Sequence, residues 1–336
     1  MGKRIGKYTI EMENSPTILA SAGVCGKKES QGPLGDQFDK VFQDTTLNEP
    51  SWEKSESRLQ AEAVNTALKK LNMETSQINY IFAGDLLNQC MSSSFGLREL
   101  GIPFLGQFGA CSTMAQTLFL AATTIEAGIS DYSVAVTSSH FCSSERQFRF
   151  PLNYGGQRTP TAQWTVTGAG AAIVGKNKSG PKIRRATVGI ITDLGIKDVN
   201  NMGAAMAPAA AKTITSFFDD TKTKPTDYDL ILTGDLGEVG SNLFKELMAK
   251  QGILIEKNYN DCGLMMYYKE KQDVHAGGSG CGCSASILCS VILNKIRKHE
   301  LNNVLFMATG ALMSPTSSQQ GETIPGVAHL INITSE

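Results

Sequence analysis

Cys111 stands in Gly109-Ala110-Cys111-Ser112, just ahead of an apolar run, residues 112–127, that the spacing predicts as a buried helix. A thiol at the mouth of a helix is a sensible nucleophile, because unpaired N–H groups and the helix dipole favour the thiolate. Other side chains could serve the same pocket. Asp85 and Asn88 end a strand-like run in Gly84-Asp85-Leu86-Leu87-Asn88-Gln89. Strand ends line crevices in α/β folds, although an Asp there also suits an Asx turn or a helix cap. His140 closes Tyr132-Ser133-Val134-Ala135-Val136-Thr137-Ser138-Ser139. It suits a ligand carboxylate as cation or neutral donor, and suits a structural role about as well. Arg146, Arg149 and Arg158 flank an aromatic stretch, and a guanidinium forks onto carboxylates, though surface contacts are the commoner fate of arginines. His275 precedes Gly277-Gly278-Ser279-Gly280, a loop whose N–H groups could wrap an anion. Asp235 reads as the cap of its own turn. Met202 and Met206 read as core or interface residues.

These residues need a scaffold, and the sequence supplies one twice. Ile81-Phe82-Ala83-Gly84-Asp85-Leu86 reappears as Ile231-Leu232-Thr233-Gly234-Asp235-Leu236. The Gly109–Ser112 tetrapeptide reappears as Cys281-Gly282-Cys283-Ser284, and at the same offset the strand Val134–Thr137 falls on Phe306–Thr309. Matches in the same order make duplication the better reading. The first half predicts strands over 17–25, 78–86, 132–139 and 165–175 and helices over 52–71 and 112–127. The second predicts strands over 185–192, 228–235, 304–310 and 327–334 and helices over 203–219, 242–250 and 284–298. Strands rich in Val, Ile and Ala that alternate with helices imply mostly parallel sheets covered on both faces. The polar stretch 177–182, with Gly180-Pro181, divides a first half, 1–176, from a second, 183–336.

Composition narrows the classes. The 336 residues are 41% hydrophobic with a net charge of −1, so nothing pushes the chain toward nucleic acid. No apolar run approaches the roughly 20 residues of a membrane-spanning helix. The first residues lack the pattern of a signal peptide, which predicts a chain kept on the cytosolic side. Eight cysteines without a CxxC pair, and four histidines without ligand spacing, read as reduced thiols and no metal site.

Two α/β halves, the GACS tetrapeptide and the Gly-rich strand Thr167-Gly168-Ala169-Gly170-Ala171-Ala172 together resemble the thiolase and ketoacyl synthase superfamily. The resemblance covers nearly the whole chain. It implies a thiolase-like fold, two duplicated βα halves forming a layered α/β/α/β/α core. It also implies Cys111 at the acyl-acceptor position and Gly310 where a second oxyanion-hole N–H is supplied. It further implies a homodimer paired through the strand Val134–Thr137. The synthases' His position falls in Gly234-Asp235-Leu236-Gly237-Glu238, and their Asn position in Gly277–Cys281, so neither partner is present. Without proton transfer, condensation loses roughly 10²–10⁴-fold, and the resemblance therefore implies a non-catalytic member.

The stretches SPTILASAGVCGKKE, IFAGDLLNQC, FGACSTMAQ, SSHFCSSERQFRFP and YGGQRTPTAQWTVTGAGAA resemble a branch of the superfamily that acts in sporulation of endospore-forming bacteria. That likeness implies binding of dipicolinic acid (pyridine-2,6-dicarboxylic acid), with no cofactor, and the residues expected to line its site are Asp85, Asn88, Cys111, His140 and Gly310. It implies support of dipicolinate uptake into the developing spore alongside membrane proteins encoded beside it. The location it implies is the forespore cytoplasm, peripheral to the spore inner membrane. The rival expectations are a condensing enzyme or acyltransferase using Cys111, and a scaffold that docks onto membrane partners.

Overall fold

Runs of small and β-branched residues set ten main strands, each half contributing five. In the first half these are β1 (Thr17–Gly26), β2 (Tyr80–Gly84), β3 (Phe104–Gly106), β4 (Tyr132–Ser139) and β5 (Gly168–Gly175). In the second they are β6 (Lys182–Val188), β7 (Leu230–Thr233), β8 (Tyr259–Asp261), β9 (Asn303–Ala311) and β10 (Gly326–Thr334). This computed structural model describes residues 2–148, 158–177, 179–255 and 257–336, so Arg149 lies outside the described residues.

The spatial order is β3-β2-β4-β5-β1 followed by β6-β10-β9-β7-β8. Counted from its outer edge inward, each half runs third, second, fourth, fifth, first. Directions repeat too: the two outer pairings of each half are parallel and the two inner ones antiparallel. A single residue pair, Thr17 with Lys182, joins the halves between β1 and β6. The mostly parallel sheet expected from the sequence is thus a mixed one. Apolar composition reports that both faces of a strand are buried, and it carries no information about direction.

The helices make the layers. The long α1 (Trp52–Leu71), capped by Ser51, covers the outer face of the first sheet with Leu59, Ala63, Val64, Ala67 and Leu68. On the second sheet the outer cover is α5 (Met202–Thr221) and α6 (Gly237–Lys250). Between the sheets lie α3 (Thr113–Glu126) and α7 (Cys281–Ile287), the latter running on through a π turn, Leu288–Ile292, into Leu293–Arg297. Alternation along β5 shows the arrangement. Ala172 and Val174 enter the central core, while Ala169, Ala171 and Ile173 pack under α1. The Gly-rich strand lets α7 approach closely: a Cβ on Gly170 would fall 2.2 Å from the Ala285 carbonyl oxygen.

The strand assigned to subunit pairing is placed otherwise. Val134–Thr137 belongs to β4, whose two edges are taken by β2 and β5 within the chain. The edge strand of the first sheet is β3, and all three of its residues are exposed. Among the described residues no helix is long and apolar enough to cross a membrane.

Candidate functional site

The turn that carries Cys111 is held by its own side chains. Ser112 Oγ donates to the Gly109 carbonyl at 2.6 Å, and Thr113 Oγ1 donates to the Ala110 carbonyl at 2.6 Å. Ala110 sits at φ +50, uncommon for a residue with a side chain, and this strain aims the next residue into the space between the halves. From the second half, β9 backs the turn. A Cβ on Gly310 would lie 2.3 Å from the Gly109 oxygen and 3.3 Å from the Cys111 nitrogen, so only glycine fits. The expected neighbourhood of Gly310 and Cys111 is therefore present.

A cavity of 50 Å³ opens over Cys111, room for a few waters. Its described walls are mainly apolar, with Leu86, Phe108, Phe148, Met202 and Met313, and carry Ser144, Glu145, Thr165 and Ser279 as polar positions. Ser144, Glu145 and Phe148 come from α4 (Phe141–Phe148). The Ser144 hydroxyl is buried without a hydrogen-bond partner. Met202, read from sequence as core or interface, opens α5 and is part of the wall.

The thiol has a partner that the sequence reading assigned elsewhere. Asp235 does not cap its own turn. Asp261 does that, accepting from Leu236 N at 2.8 Å and Gly237 N at 3.0 Å. Asp235 is fully buried and accepts from Gly280 N at 2.8 Å, Thr309 Oγ1 at 2.9 Å and Ser279 Oγ at 3.1 Å. The Cys111 thiol is buried close enough to it for the two to interact electrostatically. Burial first, then the Asp235 charge, pushes the Cys111 thiol well above its ordinary range. Burial likewise raises the Asp235 carboxyl, opposed by the donors around it. The dipole argument for a thiolate thus loses to desolvation and an adjacent acid, and Cys111 is a neutral thiol. Of the Gly-rich loop's backbone, Gly280 N–H meets a carboxyl, and that carboxyl is the chain's own Asp235.

The remaining candidates sit apart from the cavity. Asp85, fully buried, accepts from Leu87 N, Ser93 N and Ser93 Oγ at 2.8, 2.8 and 2.6 Å, tying β2 to α2 (Met91–Leu97). Its neighbour Leu86 reaches the cavity instead. Asn88 is exposed. His140 is buried and its ring is occupied at both ends: Nε2 is 2.8 Å from the Thr45 carbonyl, and Nδ1 accepts from Cys142 N at 3.2 Å. Those contacts assign the proton to Nε2, and burial lowers the ring's pKa, so His140 is neutral and braces the 44–48 loop. His275 pairs with Asp273 at 3.4 Å. Arg146 pairs with Glu53 over the Trp52 ring. Arg158 pairs with Glu145 and donates to the Gln163 carbonyl. None of the four histidines is in the described lining of the cavity.

A second buried acid lies behind the wall. Glu56 on α1 accepts from Ser143 Oγ at 2.5 Å and Ser138 Oγ at 3.2 Å. Burial and the nearby Asp85 push its carboxyl up to about 8.

Comparison with known proteins supports the architecture. The cerulenin-bound OleA of Xanthomonas campestris superposes with a TM-score of 0.61 at 13% identity, covering 95% of this chain and 96% of that one. The 3-oxoacyl-[acyl-carrier-protein] synthase III of Aquifex aeolicus VF5 gives 0.58 at 13% identity, over 95% and 100%. At such identity the likeness shows the fold alone, and that fold is thiolase-like. In sequence, the stage V sporulation protein AD of Bacillus subtilis (strain 168) is 47% identical over 328 residues, 97% of this chain and 96% of that protein. The profile of the family described as stage V sporulation protein AD (SpoVAD) matches residues 6–334. With its fold, its Gly109–Ser112 turn and these matches together, the chain belongs to the stage V sporulation protein AD family.

Proposed function

We propose that this chain is a non-catalytic thiolase-fold protein that holds dipicolinic acid in the cavity over Cys111 and supports its uptake into the developing spore. The observation that carries the reading is the burial of Cys111 beside Asp235. The thiol is held neutral first by burial and then by a buried acid at the position where the synthases keep a base, which suits a pocket and not an acyl acceptor. Apolar walls with Ser144 and Ser279 among them match a flat ring bearing carboxylates. The cavity as it stands has room for a few waters, so its walls must part to admit the ring.

Uptake is proposed to involve membrane proteins of the stage V sporulation A operon, with this chain peripheral to the spore inner membrane on its cytoplasmic side. A homodimer is part of the same proposal. The free edge of β3, with Phe104 38% and Leu105 47% exposed, supports pairing of two first sheets across a two-fold axis.

Calorimetric titration with dipicolinate tests the ligand. Saturable binding is expected, weakened by about 1–3 kcal/mol in Ser144→Ala, the range for a lost buried hydrogen bond. Undiminished binding in Ser144→Ala and in the cavity-filling Ala311→Leu, with folding intact, would place the ligand elsewhere. Release of coenzyme A from an acyl thioester, dependent on Cys111, would replace this reading with the acyltransferase.

A further inference from the structure

The cavity over Cys111 has one charged side chain in its described lining, and its sign is wrong for a dicarboxylate. That residue is Glu145. A dianion entering a mainly apolar cleft beside a carboxylate is repelled, and the repulsion grows as water leaves. A compensating cation stands directly behind it. Arg158 Nη1 is 3.4 Å from Glu145 Oε1, a loose ion pair. Its guanidinium lies over the rings of Phe141 and Trp164, at 5.7 and 5.2 Å from their centroids. Those two rings stack on one another with centroids 3.9 Å apart. Thr165, which follows Trp164, is itself part of the cavity wall. A second cation also contacts the stack, with Lys28 Nζ 3.4 Å from the Trp164 centroid. Burial, together with repulsion from Arg158, lowers the Lys28 pKa, against the pull of Asp273 and Glu29. Two cations thus pack on the aromatic pair next to Thr165 of the wall, and Arg158 reaches the described lining through its contact with Glu145.

Resting on the dipicolinate reading, we propose that Arg158 is the specificity-determining residue of this site. It exchanges its partner Glu145 for the second carboxylate of the ligand, and so selects a dicarboxylate over a monocarboxylate. The planar guanidinium is suited to the task. Nη2 donates to the Gln163 carbonyl, which with the aromatic stack fixes the guanidinium plane, and Nη1, the atom now on Glu145, is the donor that meets the ligand carboxylate. Glu145 then acts as the internal competitor that an incoming carboxylate displaces, so a ligand with one carboxylate meets a site whose cation is already taken.

The test compares dipicolinate with picolinate, the same ring with one carboxylate, by calorimetric titration of the full chain. Wild type should prefer dipicolinate. In Arg158→Gln, dipicolinate should weaken by roughly tenfold or more, as expected for a lost charged hydrogen bond, while picolinate changes little, so the preference collapses. Glu145→Gln leaves the aromatic stack intact and should tighten dipicolinate by removing the competitor. Thermal unfolding checks each variant, and Glu145→Gln keeps the proposal falsifiable if Arg158→Gln fails to fold. A dipicolinate-to-picolinate ratio unchanged in Arg158→Gln, or dipicolinate binding weakened in Glu145→Gln, overturns the role of Arg158 while leaving the cavity reading standing. Absence of dipicolinate binding to the wild type overturns both.

Discussion

At Cys111 two effects of opposite sign meet, and their magnitudes decide the chemistry. A helix N-terminus contributes up to about 2 kcal/mol toward an anion. Full burial beside a carboxylate costs an anion more, since each of those effects moves a pKa by several units. The thiol therefore keeps its proton. Replacing Asp235 by Asn removes the charge and keeps a similar shape, so the thiol should become easier to ionise. Alkylation of Cys111 by iodoacetamide at neutral pH is expected to be faster in Asp235→Asn than in wild type, read by mass spectrometry of the peptide. An equal or slower rate would show that burial alone, without the acid, holds the proton. The same residue explains a gap between sequence and structure. Asp85 and Asp235 are repeat partners in one motif, yet Asp85 ties a helix of its own half and Asp235 crosses to Gly280 and Cys111. A motif shows that two positions were once equivalent; partners brought from distant segments decide what each does now.

Among the elements, those whose signal is local were legible. The helix Trp52–Leu71 and the strand Tyr132–Ser139 end where the apolar pattern ends, because each period is set by one buried face. Cys111 and Gly310 were legible as neighbours through the resemblance to the thiolase and ketoacyl synthase superfamily, which places both at one site. What was not legible depends on tertiary placement. The antiparallel return of β5 between β4 and β1, the inner position of β4 and the contribution of α4 to the cavity have no periodic signature. Close approach of α7 to β5 is one such contact with a sharp consequence. In Gly170→Ala the new methyl would meet the Ala285 carbonyl at 2.2 Å, and the backbone must shift to relieve it. A loss of about 1–3 kcal/mol is expected, as for overpacked cores, seen as a lower urea midpoint at unchanged slope. A midpoint equal to wild type would mean that the inner helix is not locked against the sheet.

For the molecule as a whole, the buried ionisable groups set opposite slopes of stability against pH. Glu56 is pushed up to about 8 by burial and Asp85, and Asp261 to about 7 by burial. Each binds a proton more tightly folded than unfolded, so its contribution is complete below the ordinary carboxylate range and is lost as pH rises through the folded value. His140 and His329 run the other way. His329 is lowered to about 4 by burial, and His140 is lowered for the same reason. Between the folded values and the ordinary value of 6.5, the unfolded chain takes up protons that the folded one refuses, so stability falls as pH drops through that range. Two limbs follow. From about pH 9 down to about 6.5 the carboxylates dominate and the unfolding temperature should rise. From there toward about pH 4 the histidines offset the gain, and the curve should flatten or turn over. Glu56→Gln mimics the protonated acid, with an amide that still accepts from Ser143, and should lessen the slope of the upper limb while leaving the lower one in place. Thermal unfolding across this range for both proteins measures it. An unfolding temperature that increases between about pH 6.5 and 8, or an upper limb as steep in Glu56→Gln as in wild type, would show that Glu56 is ionised inside the fold.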